Sequence, residues 1–291
     1  MTKTADILCI GAVLWDIIGR HDENMERGHD RPGHITRVPG GVAMNIAMAV
    51  QAYGMTPAVL TSIGTDAEGQ ELMQACRGRG VITDHIYRPT DLPTDRYMAI
   101  EGRNGLIAAI ADAHSLEEAG AAILSPLTKA LAGWRGLIAL DGNLTLDLLT
   151  QIAADPVFTK ADLRIAPASP GKAKRLQPFL SHPTATLYVN LEEAGLLLDT
   201  DFPDSAAAAS ALLGQGLHRA LVTNGAEAAS LASGDTLITV TPPSVEVKRI
   251  TGAGDTFMAA HVSAESKGAT PEAALQNALQ ATATYISGDS Y

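Results

Sequence analysis

The chain has 291 residues, 46% of them hydrophobic and 4% aromatic, and carries a formal charge of −11. That acidity argues against docking on a nucleic-acid backbone, which draws its affinity from clustered lysines and arginines. No apolar run is long enough for a membrane span, and Cys9 and Cys76 form no metal or disulfide framework. Met1 to Asp6 leads directly into a strand pattern without a leader signature, so a cytoplasmic protein is expected. The length suits one large α/β domain spanning residues 1–291, alone or with a small appendage.

Ile7-Leu8-Cys9-Ile10 reads as a buried strand closed by Gly11, with Asp16 soon after. His21 to Arg37 is charged, rich in His, Arg and Gly, and unlike core. Pro39-Gly40-Gly41-Val42-Ala43-Met44-Asn45 leads into an apolar helix reaching about Tyr53. Ala58 to Ile63 is a second strand, and Gly69 to Cys76 a helix stopped near Gly78 and Gly80. Arg96 to Glu101 and Leu106 to Ile110 alternate around Gly102-Arg103-Asn104-Gly105, a hairpin signal. Together with the charged insert, this hairpin is expected to form a small β element from about residues 12–38 and 92–112.

Further strands are expected at Gly136 to Leu140, Leu163 to Ala166, Thr186 to Val189 and Ala220 to Thr223, ending near Asp141, Pro167, Asn190 and Asn224. Ser205 to Leu213 is an alanine-rich helix. Short apolar strands alternating with helices imply a doubly wound, mostly parallel sheet with helices on both faces. Ligands in such sheets bind beyond the carboxyl ends of the strands. Asp16, Asn45, Asn190 and Asp255 are therefore expected on one crevice.

Thr251-Gly252-Ala253-Gly254-Asp255-Thr256-Phe257 carries the chemistry. The glycines allow a sharp turn and close approach to a ligand, and a helix starting there points free N–H groups at an anion. Asp255 would repel that anion unless it serves a purpose, and a general base for a hydroxyl attacking a phosphoryl group is such a purpose. Asp in the first turn of an ordinary helix is the plain alternative. Asn45 and Asp16 likewise admit plain readings as helix-start and turn residues, and Glu193 as a solvated helix face. The eight histidines show no metal-ligand spacing.

Gly40-Gly41-Val42-Ala43-Met44-Asn45, the downstream Gly54, Gly64, Asp66, Gly69 and Gly80, Asn190-Leu191-Glu192-Glu193, and Thr251-Gly252-Ala253-Gly254-Asp255 occur in one order. In this the chain resembles the ribokinase-like (PfkB) carbohydrate and nucleoside kinases, from about residue 5 to 285. The resemblance implies ATP and Mg²⁺, with Asp255 as base and Gly252, Ala253 and Gly254 as the anion hole. It implies sugar contacts from Asp16, Gly41 and Asn45, and Mg²⁺ and phosphate positioning by Asn190 and Glu193. Nucleotide contacts fall on Asn190, Thr223, Gly225, Thr251, Gly252, Gly254 and Asn277. The hairpin becomes a lid that excludes water. Thr94-Asp95-Arg96-Tyr97-Met98-Ala99-Ile100, Asp112 and Pro167-Ala168-Ser169 with Lys172 are most similar to the pseudouridine kinase group. Thr94, Arg96, Asp112 and Lys172 are accordingly expected on the substrate, pseudouridine, whose 5′-hydroxyl accepts the phosphoryl group. Tyr97 and Met98 are expected to pack the lid face, and lid hairpins could pair two copies, since exposed edges seek cover.

Three departures from the family pattern follow. The residue two before Thr251 is usually acidic or an amide that helps bind a monovalent cation; here it is Arg249, beside Lys248, so no such cation is expected. Ala228 replaces a frequent glycine near the nucleotide, and the tail Ser287-Gly288-Asp289-Ser290-Tyr291 suggests an altered C-terminal segment. A kinase for another nucleoside or sugar, or an inactive sugar- or nucleoside-binding regulator, stay open as alternatives. A dinucleotide-dependent oxidoreductase is set aside, because no GxGxxG follows the first strand.

Overall fold

The computed structural model describes residues 4–288; the readings placed on Met1 to Lys3 and on Asp289 to Tyr291 lie outside the described residues. The first strand, β1 (Ile7–Ile10), is wholly buried. Its side chains alternate: Leu8 and Ile10 enter one apolar layer, Ile7 and Cys9 the other. A strand apolar on both faces is what a sheet covered by helices on both sides requires.

After β1 the chain forms β2 (Leu14–Arg20) and β3 (His34–Gly40), then α1 (Val42–Ala52), β4 (Pro57–Leu60) and α2 (Ala67–Gly78). The hairpin is β5 (Arg96–Gly102) and β6 (Gly105–Asp112), followed by α3 (His114–Ala119) and a 3-10 stretch, Gly120–Thr128. Alternation then resumes with β7 (Leu137–Asp141), α4 (Leu146–Ala154), β8 (Asp162–Ala166), β9 (Ala185–Asn190), α5 (Leu191–Leu198), α6 (Ser205–Gly214) and β10 (Arg219–Asn224). The chain closes with β11 (Glu227–Ser233), β12 (Thr236–Val240), α7 (Ala253–Ser266) and α8 (Pro271–Ile286).

The main sheet has eight strands in the order β12-β11-β10-β9-β8-β7-β1-β4. From β10 to β4 every pairing is parallel, whereas β11 and β12 run antiparallel. No strand is expected from the sequence after Thr223, so this hairpin is an addition. Two residues between β10 and β11, one of them Gly225 at φ +57°, are too few for a crossover, and the next strand must return antiparallel. Apolar residues of α4, α5 and α6 cover one face of the sheet, and those of α1, α2, α7 and α8 the other. Both cysteines are buried and free. Among the described residues no helix is long and apolar enough to cross a membrane.

The second sheet has the order β3-β2-β5-β6. Part of the charged insert becomes β3, exposed from His34 to Val38. The remaining loop is tied to the hairpin turn by Asn104, which accepts from Met25 N at 2.9 Å and donates to Met25 O at 2.8 Å. Trp15 fastens the small sheet to α2: its Nε1 donates to Glu68 O at 3.0 Å, and Arg37 stacks on its ring while pairing with Glu71.

One polar cluster crosses the helix layer of α7. Arg164, 5% exposed in β8, bonds Asp162 through two nitrogens and reaches Glu265 at 2.6 Å and the Tyr188 hydroxyl at 3.0 Å. Arg219 meets the same Glu265 at 2.6 and 3.0 Å. Burial works to raise the Glu265 pKa, but the bond to Arg219 and the Arg164 charge prevail and hold it down to about 2. These bonds clamp the C-terminal half of α7 onto β8 and β10.

Candidate active site

Helix α7 begins in a left-handed turn. Gly252 has φ +83°, and a Cβ there would lie 2.6 Å from the Tyr285 hydroxyl oxygen, so only glycine fits. Gly252 brings no side chain to cap the helix, and Gly254 has open space beside it. Ala253, expected among the anion-hole donors, spends its N–H on the Ile250 carbonyl oxygen at 3.0 Å, so the corner offers an anion the positive end of the helix dipole and the N–H groups around Gly254.

Asp255 stands in that first turn. Asn45, from α1, donates its Nδ2 to Asp255 Oδ2 at 2.8 Å. Burial pushes the Asp255 carboxyl up to about 7; the Asn45 bond pulls it down, while the charges of Asp141, Asp16 and Glu193 push it further up. Carboxylates from β2, β7 and α5 are therefore close enough to act on the one in α7. Burial likewise raises Asp16 to about 6.

The glycine pair before α1 explains how Asp16 gets there. A Cβ on Gly40 would fall 2.0 Å from Asp16 Oδ2, and one on Gly41, at φ +90°, 2.4 Å from the Ala12 carbonyl oxygen. The backbone passes directly against the Asp16 carboxylate, and Asn45 follows one turn into the helix.

Asp141 ends β7 fully buried. It accepts from Ala12 N at 2.8 Å and from Asn143 N and Nδ2 at 2.7 and 3.1 Å, and burial raises its pKa. Asn143 Oδ1 in turn accepts from Lys172 Nζ at 2.6 Å, which aims a half-buried ammonium along the same edge. Asn190 and Glu193 form a reciprocal capping box at the start of α5: Glu193 N donates to Asn190 Oδ1, and Asn190 N to Glu193 Oε2, both at 2.8 Å. Burial lifts Glu193 to about 7.

Asp16, Asn45, Asp255 and Glu193 are thus brought together, with Asn190 beside Glu193. The lid residues distribute differently. Register pairs Asp16 with Tyr97, Val38 and Ala111 on one face, and Trp15 with Arg96 and Pro39 on the other; Asp112 lies opposite Arg96. Arg96 pairs with Glu68 and Asp112 with His114, both on the face away from Asp16. Tyr97 is the residue beside Asp16, whose charge adds to burial in raising the phenol pKa. Thr94 is 1% exposed and spends its hydroxyl on Asp66 Oδ1 at 2.6 Å, so it does not reach the crevice as a free hydroxyl. On the far side of the loop, Thr251, Gly225 and Asn277 are exposed and Thr223 is half-buried. Asn143 and Tyr285 are absent from the sequence expectations. Only the position of Asn143, two residues past a strand-end aspartate, hints at it.

The donor set fits a hard divalent cation held mainly by phosphate and water. Among the described residues no group of three acidic, His or Cys side chains forms a metal cage, and Mg²⁺ characteristically uses one or two carboxylates plus substrate phosphates. Glu193 is placed to be such a carboxylate.

Residues 4–288 match the profile of the pfkB family of carbohydrate kinases. The chain belongs to that family. An uncharacterized sugar kinase from Escherichia coli (strain K12) is 30% identical over 268 residues, covering 89% of this chain and 72% of that protein. A pseudouridine kinase from the same organism is 27% identical over 263 residues, covering 87% and 81%. Among solved structures, a carbohydrate kinase from Agrobacterium tumefaciens superimposes with TM-score 0.80 at 26% identity, covering 96% of this chain and 90% of that one. Kinases of the pfkB family move a phosphoryl group to a substrate hydroxyl, using ATP and typically Mg²⁺.

Proposed function

We propose that this pfkB kinase phosphorylates the 5′-hydroxyl of pseudouridine. The observation that carries the chemistry is Asp255: a carboxyl poised near pH 7, oriented by Asn45, at the open N-terminus of α7. The choice of pseudouridine is supported by the hairpin sequence and by the pseudouridine kinase relative.

In this mechanism Asp16, Gly41 and Asn45 hold the ribosyl hydroxyls, and Asp255 accepts the proton of the attacking oxygen. A base with a pKa near the working pH combines availability with driving force. The N–H groups at Gly252 and Gly254, with the α7 dipole behind them, receive the charge on the migrating phosphoryl group, whose transfer rests on positioning and electrostatics. Mg²⁺, when bound near Glu193 and Asn190, neutralises phosphate charge. Thr223, Gly225, Thr251 and Asn277 flank the nucleotide. The four-stranded sheet, from about residues 12–38 and 92–112 of a single kinase domain, serves as the lid that keeps water off the acceptor. Tyr97 joins Asp16 on its inner face, and Lys172 approaches from the β8 side.

ADP release measured with pseudouridine, uridine, adenosine, ribose and fructose 6-phosphate tests the assignment. Preference for pseudouridine is expected; faster turnover of another acceptor would keep the chemistry and replace the substrate. Binding of one acceptor without ADP release would point instead to a regulator. A second test reads the base. Because the Asn45 bond lowers the Asp255 pKa, Asn45→Ala is expected to move the ascending limb of the kcat/KM–pH profile to higher pH. An unmoved limb would assign that limb to another group.

A further inference from the structure

The segment that enters the α7 loop is sewn to the last turn of α8. Arg249 Nε donates to the Tyr285 carbonyl oxygen at 2.6 Å, and its guanidinium carbon stands 3.7 Å over the Tyr285 ring. The Tyr285 hydroxyl donates to the Thr251 carbonyl oxygen at 2.9 Å and occupies the space that any side chain at Gly252 would need. Lys248 N and Arg249 N both donate to Ile286 O, at 2.8 and 3.2 Å. The phosphoryl-accepting turn therefore takes its shape from contacts outside the turn itself.

We propose that Arg249 and Tyr285 are positioning residues for the Thr251–Gly254 turn, and that this guanidinium–phenol pair takes the place of a bound monovalent cation. A monovalent cation at this corner would need oxygen ligands. Arg249 supplies only donors and no acceptor oxygen. The Tyr285 and Thr251 carbonyl oxygens on the same corner already accept from the Arg249 Nε–H and the Tyr285 O–H. The donor set does not fit K⁺, and the positive charge a cation would bring is built into the chain. Stacking on the ring fixes the guanidinium, while the ring's own hydroxyl fixes the turn, so one side chain transmits the position of the other. The inference rests on the phosphoryl-transfer reading of the turn.

The test uses the full chain and a non-hydrolysable ATP analogue with Mg²⁺, in KCl, NaCl or tetramethylammonium chloride at equal ionic strength. Analogue affinity and melting temperature are expected to agree across the three salts, with Kd within about twofold. Tightening by K⁺ of about tenfold or more, roughly one 1.4 kcal/mol step, would overturn the proposal. Arg249→Asn, which exchanges the guanidinium for an amide oxygen, is expected to acquire a K⁺ response in analogue binding. A variant as indifferent to K⁺ as the wild type would show that Arg249 does not occupy a cation's place. Tyr285→Phe keeps the ring under Arg249 and removes the hydroxyl that bonds the Thr251 carbonyl oxygen. It is expected to lower kcat about tenfold to a hundredfold, as misplacement of a reacting group does, with the acceptor KM unchanged. Full kcat in that variant would remove the positioning role. Intact analogue binding without turnover of any acceptor would count against the proposed reaction, and the binding arm would still decide this inference.

Discussion

Asp255→Asn is expected to lower turnover by about 10²–10⁴-fold, the usual contribution of a positioned general base, and at the same time to raise the melting temperature at pH 8. Both effects come from one carboxyl. Its pKa rises from 3.8 in the unfolded chain to about 7 in the fold, chiefly through burial and then through Asp141, Asp16 and Glu193. A raised carboxyl contributes its full stability below pH 3.8, and that contribution is lost as pH rises through about 7. At pH 8 the wild type therefore holds a charge that its surroundings resist, whereas asparagine holds none and keeps nearly the same shape beside Asn45. The stability gap should close as the pH falls toward 4. Retained turnover would refute the assignment of Asp255 as base. A variant less stable than wild type at pH 8 would show that the carboxylate is welcome where it sits.

Glu265→Ala is expected to destabilise the fold by about 3–5 kcal/mol, read as a lower urea midpoint at unchanged slope. Glu265 is the shared acceptor of Arg164 and Arg219, and Arg164 is buried. Removing the carboxylate leaves two guanidinium groups facing each other, with Asp162 as the one carboxylate that answers Arg164 and the neutral hydroxyls of Tyr188 and Thr186 beside them. Because its pKa is lowered from 4.5 to about 2, Glu265 contributes stability above 4.5 that is lost as pH falls toward 2. The wild type should thus lose stability across that acid window, and the variant should show a shallower loss. A cost below about 1 kcal/mol would mean that Arg164 and Arg219 are satisfied without it, as exposed ion pairs are.

The sequence reveals those parts of the molecule where local pattern and tertiary environment agree. Strands β1, β7, β8, β9 and β10 are short apolar runs because both of their faces are covered, and each lies within a residue or so of its expected place. The turn at Gly252 is legible because a left-handed residue against a neighbouring hydroxyl leaves glycine as the one choice. The hairpin β11–β12 is not, since Ala228-Ala229-Ser230-Leu231-Ala232 has little β character and is made a strand by its pairing with β10 and β12. Arg164 interrupts the apolar run of β8 between Leu163 and Ile165, and nothing nearby in sequence announces Glu265, 101 residues away. On the small sheet the difficulty is register. The face of a strand reverses with every residue, so Tyr97 rather than Arg96 stands beside Asp16, a distinction composition cannot make. The grouping of Asp16, Asn45, Glu193 and Asp255 could be anticipated because strand order sends their loops to one edge; Asn143 is hinted at by its place after a strand-end aspartate, and Tyr285 enters through contacts made by the folded chain.

Helix α7 carries Asp255 near one end and the Glu265 clamp near the other. Ten residues separate them, so the helix is a rod about 15 Å long between its fixed point and its working tip. On such a lever a tilt of only about 4° at the clamp swings the carboxyl by about 1 Å, a displacement that can cost about 10²-fold in rate. Residues that never approach the acceptor, Arg164 and Arg219 among them, therefore set the aim of the reaction as well as the strength of the fold.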